Sequence, residues 1–161
     1  MTDGNNIEQC VAAEVIRQTL SRYCRYVDKG DSQLLSELFH KDAEYLPMAG
    51  RSAYCGPLGV QQFFVDLQTE FSNLYQAGGP RPPRLKHHLA QPDIQAITED
   101  FACIETRFSV YSDLGLDHIG YYCDRLSPHV SGDWLFDSRV IVLDWIDSRS
   151  VLNILSGRDS A

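Results

Sequence analysis

The chain has 161 residues, of which 43% are hydrophobic and 22% charged, with 14 Lys+Arg set against 22 Asp+Glu for a formal net charge of −8. That length fits a single domain at roughly 100–200 residues per domain, and the composition is far from that of a disordered chain. The acidic balance argues against a nucleic-acid backbone or an anionic membrane as the main partner, because either is approached through a basic patch, and it favours a small neutral or apolar ligand.

From Ile7 to Val27 the apolar residues Val11, Ala12, Val15, Ile16, Leu20, Tyr23, Cys24 and Val27 recur at three- and four-residue steps. Glu8, Glu14, Arg17, Arg22 and Arg25 take the other side, which predicts one amphipathic helix ending near Lys29-Gly30. Asp31 or Ser32 then caps a short second helix carrying Leu34, Leu35, Leu38 and Phe39. Asp42 to Tyr45 reads as a turn into a brief strand, Gly50 to Gly59 as a loop, and Gly59 to Tyr75 as a third helix with the stripe Val60, Phe63, Phe64, Leu67, Phe71 and Leu74. The glycine- and proline-rich run 76–84 is a connector or a flap. Beyond it the period changes to two, with strands predicted at about 85–97, 101–111, 117–126 and 134–146. Helices first and strands afterwards predict an α+β fold, an antiparallel sheet covered on one face by helices, in one domain spanning 1–161.

No stretch approaches the roughly 20 apolar residues of a membrane span. The opening MTDGNNIEQC lacks the features of a secretory signal, so the expected location is the cytoplasm. The five cysteines, Cys10, Cys24, Cys55, Cys103 and Cys123, are scattered without a C-x-x-C pair, a pattern that predicts reduced and mostly buried thiols and no metal site. Motifs for a dinucleotide, a nucleoside triphosphate or an α/β-hydrolase nucleophile are absent, and no cofactor is expected.

Two positions carry chemistry. Asp28 lies four residues after Cys24 and eight after Leu20, on the apolar side of the first helix, where a carboxylate needs a donor or cation. The alternative is a helix-end Asp returned to water by fraying. His87 and His88 open the first long strand, and alternation puts His87 on the face of Leu85 and Leu89, the inward one. An imidazole beside an aspartate suits proton transfer near neutral pH, and the alternative is a core histidine satisfied by backbone or water.

The runs Val15 to Asp31, Leu38 to Ala43, Leu85 to Ile94, Gly120 to Asp124 and Gly132 to Arg139 resemble, in order and spacing, the SnoaL-like group of the nuclear transport factor 2-like superfamily. The resemblance implies a cone: a curved mixed sheet around an apolar cavity, closed by three N-terminal helices and commonly dimeric. The members most similar in pattern are scytalone dehydratase, bile acid 7α-dehydratase and hexachlorocyclohexane dehydrochlorinase. Their acid–base pair matches Asp28 and His87, and a pocket tyrosine of the bile acid enzyme matches Tyr23. The implied activity is a cofactor-independent dehydratase or isomerase acting on a hydrophobic, polycyclic or aromatic, oxygenated small molecule. Leu20, Phe63, Phe64, Leu67, Phe108, Val110, His118, Tyr122 and Arg139 are the expected substrate-contacting residues. Val110 stands where the dehydratases place a further acid or His. His118 is a partial replacement or an exposed residue near a turn, and Arg139 is an ion-pair partner first and a substrate anchor second.

A rival reading belongs to another class. The end of the chain, Arg139 to Ser156, with Arg84 to Leu89, also resembles the small subunit of aromatic ring-hydroxylating dioxygenases. That resemblance implies a non-catalytic cone, trimeric and partnered by a large iron–sulfur subunit. A third reading is a ligand-binding cone without turnover.

Overall fold

The computed structural model describes residues 3–47, 52–75, 83–150 and 152–153. Among these residues helices α1 (Asp3–Lys29), α2 (Ser32–Ser36) and α3 (Gly56–Leu74) combine with strands β1 (Phe39–Leu46), β2 (Tyr54–Cys55), β3 (Lys86–Leu89), β4 (Asp93–Ile97), β5 (Ala102–Ser112), β6 (Gly115–Pro128) and β7 (Trp134–Ile146). The seven strands form one sheet in the order β2-β1-β7-β6-β5-β3, with β4 also on β5.

The stripe of α1 is buried at Ile16, Leu20, Tyr23 and Cys24. The helix stops where Gly30 adopts φ +70°, the Gly30 amide bonding the Val27 carbonyl and the Asp31 amide the Tyr26 carbonyl, each at 3.0 Å. This paired closure needs a left-handed residue, which glycine supplies without a Cβ clash. Asp31 then caps α2 by accepting from the Leu34 amide at 3.0 Å. Helix α3 turns Val60, Phe63 and Phe64 onto the same core.

Several expectations are corrected. Helix α2 ends at Ser36, and Phe39 opens a strand that runs without a turn to Leu46. The reason is pairing: β1 lies parallel to β7, with Phe39 opposite Phe136 and Tyr45 opposite Arg139, so the sheet is mixed, as the resemblance implies, and not antiparallel as element order alone suggests. The strand predicted over 85–97 is two strands, broken before Pro92, a residue without an amide to give to a ladder. The third helix begins at Gly56 rather than Gly59. Of the cysteines only Cys24 is buried, while Cys10, Cys55 and Cys123 are exposed because their positions fall on outward faces. Most of the run 76–84 and part of the loop from Gly50 lie outside the described residues.

Strands β5, β6 and β7 slip register between Val110 and Tyr111, Ile119 and Gly120, and Arg125 and Leu126. Such bulges bend and twist a sheet, and here they curl it around α1 and α3. Beneath the curl lies a buried ion pair. Arg139 Nε and Nη2 donate to Asp124 Oδ1 and Oδ2 at 2.7 and 2.6 Å, and both side chains are fully shielded from water. The guanidinium carbon sits 3.9–4.2 Å from the ring centroids of Tyr23, Tyr122 and Phe136. Burial disfavours its charge, but the two-point contact with Asp124 outweighs it and holds the guanidinium protonated.

Removing one partner strands a charge in the core, so Asp124→Ala should cost about 3–5 kcal/mol in urea unfolding. The double variant Asp124→Ala/Arg139→Met should recover part of that loss. Additive losses would show that the pair is not the interaction measured.

Candidate active site

The last turn of α1 brings Asp28 against the start of β3. Asp28 Oδ1 accepts from His87 Nδ1 at 2.8 Å and from the His87 backbone amide at 3.1 Å, while Lys86 Nζ stands 3.5 Å from Oδ2. A carboxylate at a helix C-terminus is opposed by the helix dipole, and these three contacts compensate. Burial pushes the Asp28 carboxyl up. The hydrogen bond and charge of His87, its amide and Lys86 together outweigh that, leaving it below the usual range. Because an ionised carboxylate only accepts, the His87 hydrogen belongs on Nδ1, leaving Nε2 without a hydrogen-bond partner among the described residues.

His87 lines an apolar cavity of about 100 Å³ together with Tyr23, Tyr45, Phe63, Phe64, Leu67, Phe108, His118 and Tyr122. Val27, Pro47, Leu85, Ile141, Leu143 and Leu152 complete it. The Tyr23 and Tyr45 hydroxyls are 2.9 Å apart and buried. One of their two hydrogens is used between them, so the pair retains a hydrogen for a ligand oxygen. Burial pushes the Tyr23 phenol up to about 12, more than Arg139 and the bond from Tyr45 lower it, and keeps it a neutral donor.

His118 is buried and shares the cavity, its ring centroid 6.4 Å from that of His87. This overturns its reading as an exposed residue near a turn. The register explains the placement: His87 pairs with Val110, and Val110 with His118, so the three form one row across β3, β5 and β6 on the inner face. Next along β5, Tyr111 pairs with Leu116, which leaves Asp117 as an extra residue in β6. That bulge lets neighbours meet that an even strand would point apart, and His118 Nδ1 bonds Asp117 Oδ1 at 2.8 Å.

Three of the expected substrate-contacting residues lie elsewhere. Leu20 and Val110 are fully buried in the core outside the cavity lining, Val110 being covered in the row between the two histidines. Arg139 is also outside the lining, its donors turned to Asp124. Phe63, Phe64, Leu67, Phe108, His118 and Tyr122 lie in the wall with His87 and Tyr23, while Asp28 is outside the lining and bonds His87. Tyr45, Asp117 and Ser150 were missed. Tyr45 is one phenol among eight tyrosines, and the last two depend on a bulge and a C-terminal turn that leave no periodic trace. Among the described residues no group of three or more His, Cys, Asp or Glu side chains is arranged to hold a metal ion. No described helix is long and apolar enough to cross a membrane.

A curved, unclosed mixed sheet with helices in its hollow is the nuclear transport factor 2-like, or cystatin-like, architecture. The chain belongs to the SnoaL-like domain family, whose model matches residues 10–140. A search of curated proteins gives no match. Among solved structures, a Mycobacterium tuberculosis protein of unknown function is 18% identical with a TM-score of 0.71, covering 92% of this chain and 80% of that one. A candidate scytalone dehydratase from Novosphingobium aromaticivorans is 20% identical with a TM-score of 0.70, covering 94% and 93%. An NTF2-like protein from the same species is 21% identical with a TM-score of 0.70, covering 91% of each chain. At these identities the likeness is one of fold.

A carboxylate whose folded pKa is depressed contributes stability above its unfolded value of ~3.9, and loses it as the pH falls through the folded value. Asp28→Asn should therefore melt below wild type at about pH 6, with the gap closing towards about pH 3. A gap that does not change with pH would contradict the ion-pair assignment.

Proposed function

We propose that the protein is a cofactor-independent dehydratase or isomerase acting on a hydrophobic, oxygenated cyclic molecule. The observation that carries this reading is the 2.8 Å Asp28–His87 bond on the wall of an apolar cavity that also holds the Tyr23–Tyr45 hydroxyl pair. His87 Nε2 takes a proton from the carbon next to a carbonyl, and Asp28 stabilises the imidazolium that forms. The tyrosine pair donates to the carbonyl oxygen as it gains negative charge, in surroundings where little water competes. The resulting enolate either expels a hydroxyl from the next carbon or is reprotonated elsewhere.

The cavity favours a particular size of ligand. At about 100 Å³ it is smaller than the ~150 Å³ apolar cavity known to take one benzene, so it has room for at most one ring and further rings of a polycyclic substrate extend through the mouth. The fold of the candidate scytalone dehydratase agrees with the dehydratase reading, and the family match agrees with a small-molecule pocket.

Screening hydroxylated cyclic ketones for a rise in the ultraviolet absorbance of a conjugated product tests the reading. His87→Gln should lower turnover by ~10²–10⁴ while circular dichroism shows the fold retained. Tyr23→Phe should lower kcat with little change in KM, since its bond strengthens as the oxyanion forms. Turnover unchanged in His87→Gln would remove the base from the mechanism.

A further inference from the structure

The cavity holds a second imidazole backed by a carboxylate, and the proposed base does not account for it. His118 Nδ1 bonds Asp117 Oδ1 at 2.8 Å, and the same oxygen accepts from Ser150 Oγ at 2.7 Å. Asp117 and Ser150 are 0% and 1% exposed, and the Ser150 hydroxyl in turn accepts from the amide of Leu152, a cavity-lining residue, at 3.2 Å. A strand bulge, a buried carboxylate and a C-terminal turn thus converge on one imidazole. Burying a carboxylate is costly, and the contacts with His118 and Ser150 are what hold it there. Plain core packing would not require this arrangement.

The two carboxylates differ in what balances their charge. Asp28 has Lys86 at 3.5 Å and a backbone amide besides His87, so its charge is met from three sides. Among the described residues no Lys or Arg pairs with Asp117, and His118 is the one basic group in contact with it. Among the described residues its charge is therefore met by His118 without help from a Lys or Arg. The rings stand 6.4 Å apart at 81°, with only Val110 between them in the row, so one ring in the cavity meets both.

We propose that His118, positioned by Asp117 and Ser150, is the general acid of this pocket and protonates a hydroxyl that leaves as water. This rests on the reading of His87 as the base. The substrate class is then a cyclic β-hydroxy ketone. The C–H bond next to the carbonyl breaks and its proton goes to His87 Nε2, while the electron pair forms the new carbon–carbon double bond. The C–O bond breaks, and the oxygen takes the His118 proton to depart as water. One proton gained and one lost leave the protein in balance, and solvent exchange returns each histidine to its starting state.

Leaving-group dependence tests this, because acetate departs without being protonated and hydroxide does not. The probes are 3-hydroxycyclohexanone and 3-acetoxycyclohexanone, single rings that give the same enone. His118→Gln should lower kcat/KM for the hydroxy probe by ~10²–10⁴ and for the acetoxy probe by less than ~10-fold, whereas His87→Gln should silence both. Asp117→Asn and Ser150→Ala should shift the hydroxy-to-acetoxy ratio in the same direction. Ser150→Ala leaves the carboxylate and imidazole in place if Asp117→Asn does not fold. If His118→Gln slows both probes equally or neither, or if wild type eliminates acetate but not water, the acid assignment falls and the base stands. If wild type eliminates neither group and exchanges no deuterium next to the carbonyl of cyclohexanone, the base reading falls, and this one with it.

Discussion

The Arg139 guanidinium has no access to water, and the rest of the pocket is arranged around that fact. Taking such a charge out of water costs several kcal/mol, which only near-ideal partners offset. Here they are the two oxygens of Asp124 and the faces of Tyr23, Tyr122 and Phe136. Register places the partners: Tyr45 pairs with Arg139 and Arg139 with Asp124, a row across β1, β7 and β6. Two of the rings that cover the guanidinium, Tyr23 and Tyr122, also line the cavity, and Tyr23 bonds Tyr45. The wall that carries the phenols is therefore anchored to a pair that tolerates little displacement.

A second row, His87–Val110–His118, crosses the other end of the sheet. The carboxylates behind its two imidazoles come from different places, Asp28 from the last turn of α1 and Asp117 from the bulge beside His118. Apolar side chains make up most of the space between the rows. In such surroundings a hydrogen bond to a developing charge is stronger than in water, which is the condition acid–base chemistry on a carbon acid needs.

Much of this was legible in the residues, for physical reasons. The stripe on α1 put Asp28 on its apolar side, a position that demands a partner, and alternation put His87 inward; the two meet at 2.8 Å. The resemblance supplied the mixed, curved sheet that the order of helices and strands alone did not, and the family match agrees with it. What escaped are contacts set by register. A two-residue period cannot foresee an inserted residue: alternation would turn Asp117 and His118 to opposite faces, and a bulge brings them together. Phe39 looked helical because Leu34, Leu35 and Leu38 precede it at helical spacing, and only its pairing with Phe136 on β7 makes it a strand residue. Arg139 was read first as an ion-pair partner, and its place against Asp124 accords with that reading rather than with substrate contact.

The direct measurement of the central claim is the tautomer of His87, read from long-range proton–nitrogen NMR correlations on the ligand-free protein. An imidazole oriented by the Asp28 carboxylate must, in its neutral form, carry its hydrogen on Nδ1 and present a bare Nε2 to the cavity. A neutral His87 with its hydrogen on Nε2 would have no lone pair to offer a substrate, and the account of this pocket as a proton-transfer site would be contradicted.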